Sequence, residues 1–433
     1  MMYPMLDSTN RKRIFPFTFK GINRNDMIED DNLVDCTNID TYSIPFISPR
    51  KPMERIERIL NCNGFLYDLS KEVFVSGNNF HYDGNKFPLK NLNCERQLVE
   101  FNGHILIFPD NKAYDVAKNT IEDFKAPELD FVAVHDNRVF GVKGSDIRAT
   151  SLGDYKSWET YKGVLTDSFA TDTARTGNFT GMVSYRGHLT LFKDEVCYEL
   201  FGNRPDQYTL KEAFKLGTIS NKSIAEVGGT LIFLDKSGVI AYGGGLPKPI
   251  GYKLNEKYVK GVGFSDGRRY YLSLDNGKDK RTYIFDSNFD CWSVYSDQYF
   301  THYASYFDGS KREIRAVNEH GDVYIFNHGD EVVPWEVVTK EYDDNSFYKK
   351  SVSKFRLKGK STVGTEFEVY VSYDGKPKEL VKVFKHTDFS VTDWKEFRIQ
   401  VPLRRCKRYQ FTIVGKGHIV LYGAREITFR SER

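Results

Sequence analysis

The strongest constraint on this chain is a loose repeat with a period of roughly 40 residues. Each copy has a tight turn, an apolar strand, a second turn and an aromatic strand. The clearest copies run over Phe101–Tyr114, Tyr185–Tyr198 and Val227–Tyr242. Weaker copies start near Asn63, Asp136, Asp266 and Asp308. Taking the second turn residue as a phase marker gives Gly64, Gly103, Asn137, Gly187, Gly228, Gly267 and Gly309, in steps of 39, 34, 50, 41, 39 and 42 residues. Short strands joined by Asn-Gly, Asp-Gly and Gly-Gly turns are hairpins. Hairpins recurring at this period predict the blades of a β-propeller.

The predicted fold class is all-β, a β-propeller of about six to seven blades followed by a C-terminal antiparallel β-sandwich. Three regions are expected. Residues 1–55 read as an extended N-terminal arm, with Pro45 and Pro49 holding the residues before them extended. Residues 56–345 hold the propeller, and the long step between Asn137 and Gly187 contains a polar stretch, Thr166–Gly181, that reads as an inter-blade loop. Within residues 346–433, Ser353–Lys358 alternates polar and apolar side chains, Glu366–Gly375 follows and ends in a turn, and further strands are expected over Trp394–Pro402, Arg408–Gly415 and His418–Gly423. Helical signals are scarce. The best, Pro52–Leu60, is short enough to be a strand instead.

Charge divides unevenly. Residues 346–433 carry 20 Lys and Arg against 9 Asp and Glu, a net of +11, which leaves the rest of the chain at −8 within an overall +3. The sharpest feature is Arg404, Arg405, Lys407 and Arg408, four cations in five positions suited to DNA phosphates or an acidic partner. A solvated inter-strand loop is the plainer reading of the same cluster. No apolar run of about 18 residues exists to form a transmembrane helix, so no membrane insertion is expected. Met1–Lys20 lacks the apolar core of a secretory signal. The six cysteines form no CxxC pair, which points to a reducing cytoplasm as the place of synthesis.

No catalytic motif emerges, and neither a metal nor any other cofactor is expected. The GxSxG, Walker, HExxH and zinc spacings are absent. Ser151–Trp158 resembles in part the Asp-box of sialidase propellers, but Gly153 and Asp154 stand in the wrong positions. Asp275–Asp279 lacks the spacing of a calcium loop and reads as a hairpin turn.

Three segments resemble tailed-bacteriophage virion proteins. The leader, with Gly21–Arg24 and Asn38–Lys51, is similar to their starts. Leu152–Trp158 and Leu191–Gly202 are similar to the propeller of tail hub, nozzle and packaged-DNA stabilisation proteins, and Val401–Phe411 with Tyr422–Glu426 to their terminal sandwich. The resemblance implies a homo-oligomeric ring, six-fold in that family, in the tail or neck of a virion made in a bacterial host. It would contact a portal-proximal adaptor, other tail proteins and the passing duplex DNA. Asn38, Pro45, Pro49 and Arg50 would belong to an assembly arm gripping a neighbour. The chain is shorter than the large nozzle proteins, which leaves its tail position open. The alternative is a carbohydrate-binding propeller for host-surface recognition, with Tyr155, Trp158, Tyr270 and Tyr271 stacking on sugar rings.

Overall fold

The computed structural model describes residues 11–429 apart from 27, 69, 91, 93, 174, 346, 363 and 386–393. Among the described residues, seven four-stranded antiparallel sheets follow one another around a ring. Blade 1 comprises Cys62–Asp68, Lys71–Ser76, Asn79–Tyr82 and Asn85–Pro88. Blades 2 to 6 begin at Gln97, Phe131, Phe179, Ala225 and Lys260, each running through four consecutive strands. Blade 7 takes three strands from Phe300–Phe307, Arg312–Asn318 and Asp322–Phe326; its fourth is the N-terminal Met53–Arg58. The first strands of adjacent blades touch, and blade 4 reaches blade 5 through the turn Asn221–Ser223.

Why these residues make hairpins is visible in their backbone angles. Asn102 and Gly103, Asp136 and Asn137, and Arg186 and Gly187 all have positive φ. That geometry matches the twist of two-residue hairpins. Six of the seven phase markers sit in the turn joining a blade's first two strands. Gly64 does not: it lies inside Cys62–Asp68, and the turn follows Asp68. The long step after Asn137 also has a different cause from the one expected. Phe169–Asp172 is the outer strand of blade 3, and residues 150–168 form a loop before it. Buried Arg138 organises that loop, donating to the carbonyls of Thr150 at 2.6 Å, Leu165 at 2.9 Å and Asp167 at 2.5 Å. Apolar clusters fill the spaces between blades, for example Phe140, Ile147, Met182, Leu191 and Leu200 between blades 3 and 4.

The sandwich stacks a four-stranded sheet on a five-stranded one. The first is ordered Arg11–Phe17, Ile419–Phe429, Lys350–Ser361, Lys395–Gln400. The second is ordered Leu33–Thr37, Pro334–Thr339, Tyr409–Lys416, Glu366–Tyr373, Glu379–Phe384. The expected divisions after residues 55 and 345 therefore do not follow the sheets. Residues 11–17 and 33–37 belong to the sandwich, 334–339 joins it from before the expected boundary, and 53–58 belongs to the propeller. Residues 17–47 are not a free arm, because Phe17, Phe19, Ile22, Leu33, Cys36, Ile39 and Ile47 are buried within this chain. Phe17, Phe19, Ile22, Leu33 and Cys36 share one core with Trp292 of blade 6 and Phe355 of the sandwich. Gly21, at φ +91°, lies so close to blade 6 that a Cβ would sit 2.8 Å from the Trp292 carbonyl oxygen. Only glycine combines that angle with that approach.

Charge is buried along with these contacts. Arg269, 1% exposed, pairs with Asp40 at 2.8 Å and with Asp266 at 2.9 Å, and Tyr42 stacks 3.8 Å above its guanidinium. Removing one partner of such a pair strands the other in a low-dielectric site. Arg269→Met is expected to lower unfolding free energy by about 3–5 kcal/mol, measured by denaturant titration. A loss under about 1 kcal/mol would mean the pair contributes little net stability.

The ring-closing seam holds two facing carboxyl groups. Glu57 lies on the closing strand and Glu72 on the second strand of blade 1. Burial, then the hydrogen bond to Glu57, raises Glu72 from 4.5 to about 8, while Tyr67 donates to it at 3.2 Å. The folded chain thus keeps a proton that the unfolded chain releases, so this contribution to stability is full below pH 4.5 and is lost as pH rises to about 8. Glu72→Gln keeps the neutral form throughout. Its melting temperature should gain on wild type by about 1–3 °C across that interval. A difference that stays constant with pH would refute the raised Glu72 carboxyl.

Candidate functional site at the propeller mouth

Two regions singled out by sequence have a clear local structure. Arg404, Arg405, Lys407 and Arg408 lie exposed on the connection between Lys395–Gln400 and Tyr409–Lys416. The connection is braced. The backbone amides of Lys407 and Arg408 donate to Asp374 Oδ1 at 2.8 and 2.9 Å, and Cys406 is buried between them. Arg404 pairs with Glu379 at 2.6 Å and Arg408 with Glu341 at 2.9 Å. Among the described residues, Arg405 and Lys407 have no ion-pair partner and project two uncompensated charges. Arg405→Gln with Lys407→Gln should change stability by less than about 0.5 kcal/mol in chemical denaturation. A larger loss would make both residues part of the fold.

The residues expected in an assembly arm make contacts inside their own chain. Asn38 donates to the Pro334 carbonyl at 2.7 Å and accepts from Arg50 Nε at 2.9 Å. Pro45 accepts from the Phe19 amide at 2.9 Å, and Pro49 pairs with Ile39 in a short ribbon. Arg50 also lies over the ring of Tyr295 in blade 6. Asn38 thus reaches the sandwich and Arg50 the propeller, while Pro45 and Pro49 shape the segment between them. The aromatics considered for sugar stacking are core residues: Tyr155, Trp158, Tyr270 and Tyr271 are at most 6% exposed, and the Tyr270 hydroxyl donates to the Ser223 carbonyl.

A site that sequence reasoning missed lies where the first strands of the blades begin. There a cavity of about 990 Å³ opens at one mouth of the ring, lined by blades 1, 5, 6 and 7 and by the connection into blade 2. Lys222, in the turn before blade 5, donates to the Thr301 carbonyl of blade 7 at 3.0 Å and pairs with Glu95 from the blade 2 connection. The Lys222 side chain therefore spans the mouth. His302 of blade 7 places Nε2 3.2 Å from the same Glu95 carboxylate, with Nδ1 3.0 Å from Thr301 Oγ1. Lys260, the first residue of blade 6, lines the cavity without an ion-pair partner among the described residues.

The electrostatics follow from this crowding. Burial, reinforced by Lys260, would by itself push the Lys222 ammonium down to about 7; the touching Glu95 carboxylate favours its charged form. Burial, then Lys222 and Lys260, drives His302 well below its ordinary value, so its imidazole is neutral. Arg96 holds Glu95 in place from the next position. Its fully buried guanidinium pairs with Asp110 at 3.0 Å and donates to the carbonyls of Gly77 and Cys94. The arrangement presents nitrogen donors to a concave space. No three His, Cys, Asp or Glu among the described residues could hold a metal ion. A signal for the site did exist in the repeat: Glu95, Lys222, Lys260 and His302 all lie within three residues of a first-strand start.

No protein-family model matches the chain, and no curated protein does. Solved structures with similar shape include an extracellular domain of a one-component system from B. thetaiotaomicron, at 12% identity and TM-score 0.44, covering 65% of this chain and 41% of that one. The N-terminal domain of Nup159 matches at 12% identity and TM-score 0.39, covering 68% and 98%. PorZ, a surface component of the type-IX secretion system of Porphyromonas gingivalis, matches at 12% identity and TM-score 0.43, covering 78% and 46%. The chain thus spans less than half the length of the first and third of these structures. At such scores the fold assignment rests on strand topology.

Proposed function

We propose that this protein is a non-catalytic structural subunit of a tailed-phage virion, a ring-forming tail or neck component beside the DNA exit channel. The observation that carries this reading is the weave of residues 11–58 through both sandwich sheets, blade 6 and the ring closure. A chain stapled in this way transmits load between propeller and sandwich without a hinge, which suits a part of a pressurised assembly. The resemblance of three segments to phage virion proteins supplies the setting. Arg405 and Lys407, on a braced loop, offer a contact for DNA phosphates or an acidic neighbour.

Electron microscopy of the purified protein and of virions tests the proposal: closed rings, or density for this chain at the tail channel, are expected. A monomer absent from virions would overturn it. If the loop meets duplex DNA, replacing Arg405 and Lys407 with glutamine should reduce the slope of log affinity against log salt by about two. An unchanged slope would remove DNA as its target.

A second reading has one observation in its favour. On the opposite face, Tyr42 is 54% exposed, is held by the Arg269 guanidinium beneath it, and borders a cavity of about 800 Å³ with Phe264, Arg268 and Arg312. A rigid exposed ring beside arginines is a surface for a saccharide. Glycan-array binding lost in Tyr42→Ala would favour this reading over the virion one.

A further inference from the structure

We infer that the mouth of the propeller is a binding site for a phosphate group, free or at the end of a phosphomonoester, with Glu95 as its built-in competitor. Lys222, Lys260 and His302, from the turn before blade 5, from blade 6 and from blade 7, line one cavity. Lysine binds phosphate as a point charge, and a tetrahedral oxyanion accepts from several such donors at once. The carboxylate that faces them is Glu95, in contact with Lys222 and 3.2 Å from His302 Nε2. A single negative charge leaves Lys260 uncompensated.

One further observation points to a ligand. His302 is 9% exposed and lines the cavity, and its Nε2 lies 3.2 Å from the Glu95 carboxylate but outside hydrogen-bond geometry. Buried polar atoms without partners are uncommon and usually mark a missing bond. The Glu95 side chain is 44% exposed, so it can swing out when an incoming dianion takes its place. The cavity of about 990 Å³ is much larger than one phosphate ion. Tyr299, Val262 and Leu60 supply apolar wall for whatever carries the phosphate group. This assignment does not rest on the virion reading.

The test is isothermal titration calorimetry on the full chain with two probes, inorganic pyrophosphate and a short 5′-phosphorylated oligodeoxynucleotide, using the 5′-hydroxyl oligonucleotide as control. Saturable binding of either phosphate-bearing probe is expected. Glu95→Gln should tighten it about tenfold, because the competing charge is gone, and Lys260→Gln should weaken it about tenfold. Preference for pyrophosphate would assign the site to small phosphates. Preference for the 5′-phosphorylated strand over both other probes would assign it to a nucleic-acid end. Failure of both phosphate probes to bind wild type and Glu95→Gln would overturn the inference, as would unchanged affinity in Lys260→Gln. Lys260 is exposed and has no ion-pair partner among the described residues, so this variant remains a valid test even if Glu95→Gln folds poorly.

Discussion

The structure depends on one antiparallel pairing, that of Met53–Arg58 with Asp322–Phe326. An open row of sheets would leave blade 7 lacking its outer strand and two blade faces exposed to water. Pairing the first part of the chain with the last blade removes both defects at once. The turn beside the joint is close-packed: the Ile59 amide donates to the Gly321 carbonyl at 2.8 Å. A Cβ on Gly321 would lie 2.1 Å from the Ile59 carbonyl oxygen. Glu72, whose carboxyl is pushed up by burial and by the facing Glu57, lies on the same seam, so the closure has a chemical sensitivity as well as a steric one.

From that joint the N-terminal segment continues backwards into the sandwich, and this makes two expected domains into one interlocked body. Blade 6 is the common surface. It receives Ile22 and Cys36 in its core, Asp40 on Arg269, and Thr41 Oγ1 on Asp286 at 3.1 Å. The propeller and sandwich therefore share apolar core and buried charge. Domains joined by a linker and a small polar interface shift relative to each other by default; this pair has neither feature.

Much of the architecture could be read from the chain because hairpins are local. Asn102–Gly103 and Gly228–Gly229 require positive φ, and each fixes a turn whatever surrounds it. Five sandwich strands after residue 346 were legible for the same reason, since alternation is written into each strand. What sequence could not reveal was pairing across long separations. Nothing in Arg11–Phe17 states that its partner is Ile419–Phe429, and the prolines of the leader suggested a free arm when they serve an internal ribbon. Gly64 misled because a glycine inside a strand looks like a turn when read alone. The channel-mouth residues were hidden because Lys222, Lys260, Glu95 and His302 become neighbours only when the ring closes. The basic cluster was legible in charge but not in effect, since Glu379 and Glu341 come from elsewhere to neutralise half of it.

The pairing of Arg11–Phe17 with Ile419–Phe429 has a consequence for the order of events during synthesis. Arg11–Phe17 must wait for Ile419–Phe429 before it finds its place, and Met53–Arg58 must wait for blade 7. Throughout that interval the nascent chain carries unpaired strand edges and uncovered apolar faces, the condition under which chains associate wrongly. Blades 1 to 6 can form one after another as they emerge, because each is built from consecutive strands. Completion is reserved for the end, so a chain stopped before residue 419 lacks its sandwich's central strand, and quality control is in effect written into the topology.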